Sequence, residues 1–143
     1  MEKYYNDAII GNKEITASYT KKGELLRVFY PNTDYRQFVD YFHTGVKIND
    51  SNMIYLHDDI NNQYEQYFTL NTYFELNILQ TDFVCINKNV IVKKYKFKNQ
   101  NNIDLNVSFI IHSALLTNDN NQVSGYYVND SLVQYMHDYT FSI

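Results

Sequence analysis

The feature that most limits what this chain can become is a period-two alternation that returns in segment after segment. Between Ile103 and His112, the residues Ile103, Leu105, Val107, Phe109 and Ile111 alternate with Asp104, Asn106, Ser108, Ile110 and His112. Successive side chains of an extended strand point to opposite faces, so this pattern predicts a strand with one buried face. The preceding stretch, Val90 to Lys98, sets Tyr95 and Phe97 on an inward side and Lys94, Lys96 and Lys98 on an outward one. The two stretches read as an antiparallel hairpin around the loop Asn99, Gln100, Asn101, Asn102.

The same grammar occurs elsewhere. Val46 and Ile48 lead into the turn Asn49, Asp50, Ser51, Asn52, after which Met53, Tyr55 and His57 alternate with Ile54 and Leu56. From Tyr73 to Gln80, Phe74, Leu76 and Ile78 alternate with Glu75 and Asn77, and Asp82 to Ile86 continues toward the turn Asn87, Lys88, Asn89. Near the end, Val133, Tyr135, His137, Tyr139 and Phe141 read as one strand against Gln134, Met136, Asp138 and Thr140. Only Asp34 to His43 spaces its apolar residues as a helix would, at Tyr35, Phe38, Val39 and Phe42; a short helix and a strand both fit there.

Short strands in close succession predict an all-β fold, an antiparallel β-sandwich. No Gly/Ser linker, low-complexity tract or solenoid repeat divides the chain, so residues 1–143 read as a single domain. Good strand alternation persists to Phe141, which predicts a fragment or a truncated gene product whose partner strands lie downstream.

Composition supports folding and narrows the partners. Hydrophobic residues make up 45% and charged residues 20%, outside the range of chains that stay disordered. The aromatic residues are 15 Tyr and 9 Phe with no Trp, so rings suited to a pleated surface are plentiful while the commonest sugar-stacking side chain is missing. A net charge of −4 argues against nucleic acid and against an anionic membrane surface. The single Cys85 precludes an internal disulfide and fits a reducing compartment. The opening MEKYYNDAII lacks a long apolar run, so no signal peptide is visible and the chain reads as soluble and cytoplasmic.

Candidate chemistry is sparse. Asp58 and Asp59 are adjacent carboxylates, but neighbours on a strand diverge, and HDDINN reads as a polar turn. His43, His57, His112 and His137 lack the spacing that builds a metal site on one element, although distant histidines can converge in a sheet. Cys85, beside Phe83 and Val84, reads as a small buried hydrophobe. The run Lys93, Lys94, Lys96, Lys98 reads as the solvated face of a strand, where lysines discourage edge-to-edge pairing.

One stretch carries a more specific pattern. DAIIGNKEITASYTKKGELLRVFYPNTDY sets Ile10, Gly11 and Asn12 before Gly23 and then Tyr30 and Pro31, and LNILQTDFVCINKNVIVKKYKFKNQNNIDLNVSFIIHS places a Thr-Asp-Phe ahead of strands around a polar turn. This resembles the amino-terminal domain of bacterial glucoamylase-like proteins, glycoside hydrolase family 15, over most of the chain. Lys13 stands where relatives often have a second Gly, and Gln66 to Tyr73 is shorter than the family's loop.

The resemblance implies a supersandwich, of which this chain covers part, followed in the parent by a catalytic (α/α) barrel that inverts α-glucosidic bonds of starch-type sugars. Such inversion uses a carboxylate pair roughly 6.5–9.5 Å apart, and neither catalytic Glu has a counterpart here. The expected role is a non-catalytic scaffold or docking domain with no cofactor and no metal, whose partner is the barrel. The alternatives are a carbohydrate-binding sandwich for α-glucan and a self-associating homo-oligomer. For sugar binding the candidates are Tyr64, Tyr67, Tyr126 and Tyr127, in less regular segments, with packing at the sheet rim as the competing role.

Overall fold

The computed structural model describes residues 8–31, 37–57, 60–63, 67–72, 76–115, 124–136 and 139–142. Those residues form thirteen strands and no helix: β1 (Ala8–Gly11), β2 (Thr16–Tyr19), β3 (Leu25–Phe29), β4 (Val39–Ile48), β5 (Ile54–Tyr55), β6 (Ile60–Gln63), β7 (Tyr67–Thr72), β8 (Leu76–Val84), β9 (Ile91–Asn99), β10 (Val107–Leu115), β11 (Ser124–Val128), β12 (Ser131–Met136) and β13 (Tyr139–Ser142). Every pairing between them is antiparallel. A six-stranded sheet runs β1-β2-β3-β4-β10 with β5 also on β4; a four-stranded sheet runs β6-β7-β8-β9; β11-β12-β13 form a third. The all-β, sandwich-like expectation is met.

The first strands owe their turns to specific residues. A Cβ on Gly11 would lie 2.7 Å from the Ile15 carbonyl oxygen, so only Gly lets β1 pass the start of β2 this closely. Asn12 closes that turn by accepting hydrogen bonds on Oδ1 from the backbone N–H of Glu14 at 2.8 Å and of Ile15 at 3.0 Å. Between β2 and β3 the chain turns at Gly23, whose φ of 72° strains any residue with a side chain. The turn after β4 uses Asn49 at φ 51°, a conformation that Asn tolerates, and the β4–β5 hairpin expected around it is present.

Two readings need correction, and one left open between helix and strand is decided. The stretches on either side of Asn99–Asn102 do not form a hairpin. β9 pairs along its whole length with β8, from Leu76 opposite Asn99 to Val84 opposite Ile91, while β10 crosses to the other sheet and pairs with β4. Asn106 and Asn49 drive that crossing by bonding in both directions, at 2.7 Å and 3.0 Å, which seats the start of β10 against the end of β4. Consequently the strand begins at Val107 rather than Ile103, and Ile103 is exposed. The alternation from Val133 to Phe141 is two strands, because Met136 lies opposite Tyr139 and β13 folds back on β12. Within Asp34 to His43, the described part is strand from Val39 and nowhere helix, with Gln37 bridged to Phe29.

The core lies between the two larger sheets in two apolar clusters. One gathers Ile10, Ala17, Tyr19, Leu25, Val28, Val39, Phe42 and Val84, among others; the second gathers Val46, Leu56, Leu76 and Ile78 with Ile48, Tyr95 and Val107 against them. On β8 the inward positions read Leu76, Ile78, Gln80, Asp82, Val84, and all five are buried. Two polar residues thus interrupt the apolar face where one cluster ends and the next begins.

Candidate functional site

That interruption is a buried polar belt. Asp82 has no exposed surface and lies directly opposite Lys93 on β9, whose ammonium donates to Asp82 Oδ2. Gln80 Nε2 donates to both Asp82 oxygens at 3.0 Å, so the carboxylate is held from two sides. The Lys93 ammonium also sits 5.1 Å from the Tyr19 ring centre and 5.6 Å from that of Phe42, in range of cation–π attraction. Next along β9, the Tyr95 hydroxyl donates to Thr44 Oγ1 at 3.2 Å, tying the two sheets together.

Burial sets the protonation behaviour of these groups. Loss of water lowers the Lys93 pKa, and the charge of Asp82 pulls it partly back. Burial, reinforced by the Asp82 charge, pushes the Tyr19 hydroxyl well above its ordinary range and raises that of Tyr95 as well. Lys93 therefore differs from Lys94, Lys96 and Lys98, with which the sequence groups it. Those three are exposed, as expected, whereas the side chain of Lys93 is only 11% exposed. Parity along the strand is the signal that separates them: Ile91, Lys93, Tyr95 and Phe97 share one face.

Above Lys93 a narrow crevice opens, lined by Gly23, Glu24, Phe42, Thr44, His43 and Tyr55. Beside it, on the outer face of the larger sheet, aromatic and imidazole rings gather. His43 and His112 stand directly opposite on β4 and β10. Tyr41 stacks on His43 with ring centres 5.6 Å apart, its hydroxyl lies 3.2 Å from His112 Nε2, and Tyr55 meets His43 edge-on at 5.8 Å. His43 Nδ1 is 3.9 Å from Glu24 Oε1. Among the described residues no group of three His, Cys, Asp or Glu side chains is placed to hold a metal ion.

Among the described residues the sandwich is incompletely closed along one side. β9 ends the order of the four-stranded sheet and β10 that of the six-stranded sheet, and the two edges lie over one another through Phe109, whose ring is 4.7 Å from Tyr95 and 5.7 Å from Phe97. Phe97 is 39%, Phe109 38% and Ile111 40% exposed, although all three occupy inward positions.

The residues singled out from sequence are scattered. Tyr126 and Tyr127 are exposed but belong to a regular hairpin, β11 with β12, and as neighbours on a strand they face opposite ways. Tyr126 leans on Tyr135 at 6.1 Å, and the Tyr127 hydroxyl donates to Asp130 at 2.9 Å in the turn. Tyr67 opens β7 opposite Phe83; Tyr64, Asp58, Asp59 and His137 lie outside the described residues. Cys85 is half-buried at the end of β8 rather than in the core. His57 is exposed.

No family model matches the chain, and no curated protein or solved structure matches it either. No helix among the described residues is long and apolar enough to cross a membrane.

Proposed function

We propose that this chain is a non-catalytic β-sandwich scaffold that docks on a partner domain. The observation that carries the reading is the open side, where Phe97, Phe109 and Ile111 sit on the inward face yet keep more than a third of their surface in water. Apolar side chains in a contiguous strip favour being covered, which is the usual signature of an interaction surface. The best-buried carboxylate among the described residues, Asp82, is committed to Lys93 and Gln80 and closed to solvent, so it is poorly placed to pass a proton to a substrate.

The more specific form of the proposal names the partner as the (α/α) barrel of a glucoamylase-like hydrolase acting on α-glucosidic bonds. What supports it is the sequence resemblance, together with turns at Gly11-Asn12 and Gly23 and a third strand that ends just before Tyr30-Pro31. The test is incubation of the pure chain with maltose and short malto-oligosaccharides. No glucose is expected, and glucose release would overturn the non-catalytic reading.

The outer-face rings favour a second reading, an α-glucan-binding module. Tyr41, His43, Tyr55 and His112 offer ring faces and polar edges side by side, the combination that packs on sugar C–H groups while bonding hydroxyls. Saturable binding of soluble starch that is lost in Tyr55→Ala supports it, and a flat titration removes it.

A further inference from the structure

We infer that the free edge of β9 is a strand-addition site for an extended peptide whose residues alternate acidic and apolar. This rests on the docking reading and supplies its surface and the chemistry of its partner. β9 is nine residues long and, among the described residues, pairs only with β8. Its outward face carries Lys94, Lys96 and Lys98 in a row, all exposed, opposite Thr81, Leu79 and Asn77. No carboxylate among the described residues pairs with any of the three, on a chain whose net charge is −4. Residues two apart on a strand are separated by about 6.7 Å. A strand laid beside β9 has the same repeat, so acidic residues at every second position come into register with the lysines.

The other positions of such a strand point inward, where Phe97, Phe109 and Ile111 leave an apolar strip half-open. Both faces of the incoming strand are thus specified, one by charge and one by cover. The lysine row also repels a second β9, so the edge is closed to self-pairing and open to an acidic partner. β10, the neighbouring edge, carries no Lys, Arg, Asp or Glu along Val107–Leu115, and Gln134 caps it at Ser113, donating to the Ser113 carbonyl at 2.9 Å.

Fluorescence anisotropy with a labelled synthetic peptide, Thr-Glu-Val-Glu-Ile-Glu-Val-Thr, titrated with the full chain, tests this. Saturable binding is expected, weakened roughly tenfold or more by raised salt and by the triple change Lys94→Glu, Lys96→Glu, Lys98→Glu. That variant should instead prefer the peptide with Lys in place of Glu; its circular dichroism, and a Lys→Gln version of the triple, control for folding. Methylating alternate peptide nitrogens should abolish binding, because strand addition needs the backbone donors. No saturable binding at millimolar peptide, equal binding of both peptides by both proteins, indifference to methylation, or equally tight binding of an all-Glu peptide would each overturn the inference. The maltose assay reads the non-catalytic role separately, so the two proposals fail on different results.

Discussion

Lys93 and Asp82 meet at matched positions on β8 and β9 with almost no water around them, so each offsets the cost of burying the other. Removing one partner leaves an uncompensated charge between the sheets. Lys93→Met or Asp82→Leu alone should therefore lower stability by about 3–5 kcal/mol in urea unfolding. The double variant should fall nearer the wild type than either single one, because an apolar pair leaves no orphaned charge. Alkaline pH probes the same belt. Tyr19 and Tyr95 have folded pKa values above their unfolded value of about 10, so in that range the unfolded chain releases protons that the folded one keeps. Their contribution to stability is complete below pH ~10 and is lost above it, each with a slope of up to ~1.4 kcal/mol per pH unit. Lys93 acts with the opposite sign: its lowered pKa costs stability in full at low pH, and that cost fades as pH rises toward ~10.5. Two tyrosines outweigh one lysine, so stability should fall above pH ~10, and Tyr95→Phe should flatten the fall in urea titrations across that range.

Strands and most turns are legible in this sequence because alternation and turn chemistry are local; pairing partners are not. The β8–β9 hairpin follows from a short polar turn between two amphipathic runs. The neighbouring runs across Asn99–Asn102 look just as suited to a hairpin, yet β10 leaves for β4, a choice set by Asn49 far back in the chain. The two halves of the sandwich are also tied by Asn12, the residue that closes the β1–β2 turn. Its Nδ2 donates to the carbonyls of Cys85 at 2.7 Å and Lys88 at 3.0 Å, so the β1–β2 turn clasps the β8–β9 turn. Asn12→Ala gives up the side-chain bonds on both ends of this clasp and should cost about 2–3 kcal/mol by urea unfolding, at about 1 kcal/mol per net bond with partial relief from water. Asn12→Asp keeps the acceptor but turns a negative charge toward two carbonyls, and should destabilise more.

For the molecule as a whole, the polar belt divides the core into two clusters, and the second opens onto the side where β9 and β10 end their sheets. The alternation of β9 and β10 marks Phe97, Phe109 and Ile111 as inward, and they are; what strand periodicity cannot encode is whether another layer covers them. The candidate site was hidden for a related reason, since the Lys run reads as one solvated face until strand parity separates Lys93 from its neighbours. If the open strip serves docking more than folding, its side chains can be replaced at little cost. Full burial of a Phe or Ile contributes about 1.5–3 kcal/mol, and Phe97 and Ile111 realise only part of it. Phe97→Thr combined with Ile111→Thr should therefore lower urea-measured stability by only about 1 kcal/mol per site while sharply reducing fluorescence of the apolar dye ANS. Ile86→Thr, in the β8–β9 turn with Ile86 65% exposed, removes a comparable apolar side chain outside the strip and should leave the dye signal unchanged. A loss of several kcal/mol in the double variant would instead assign the strip to the core of this domain and remove the main support for docking.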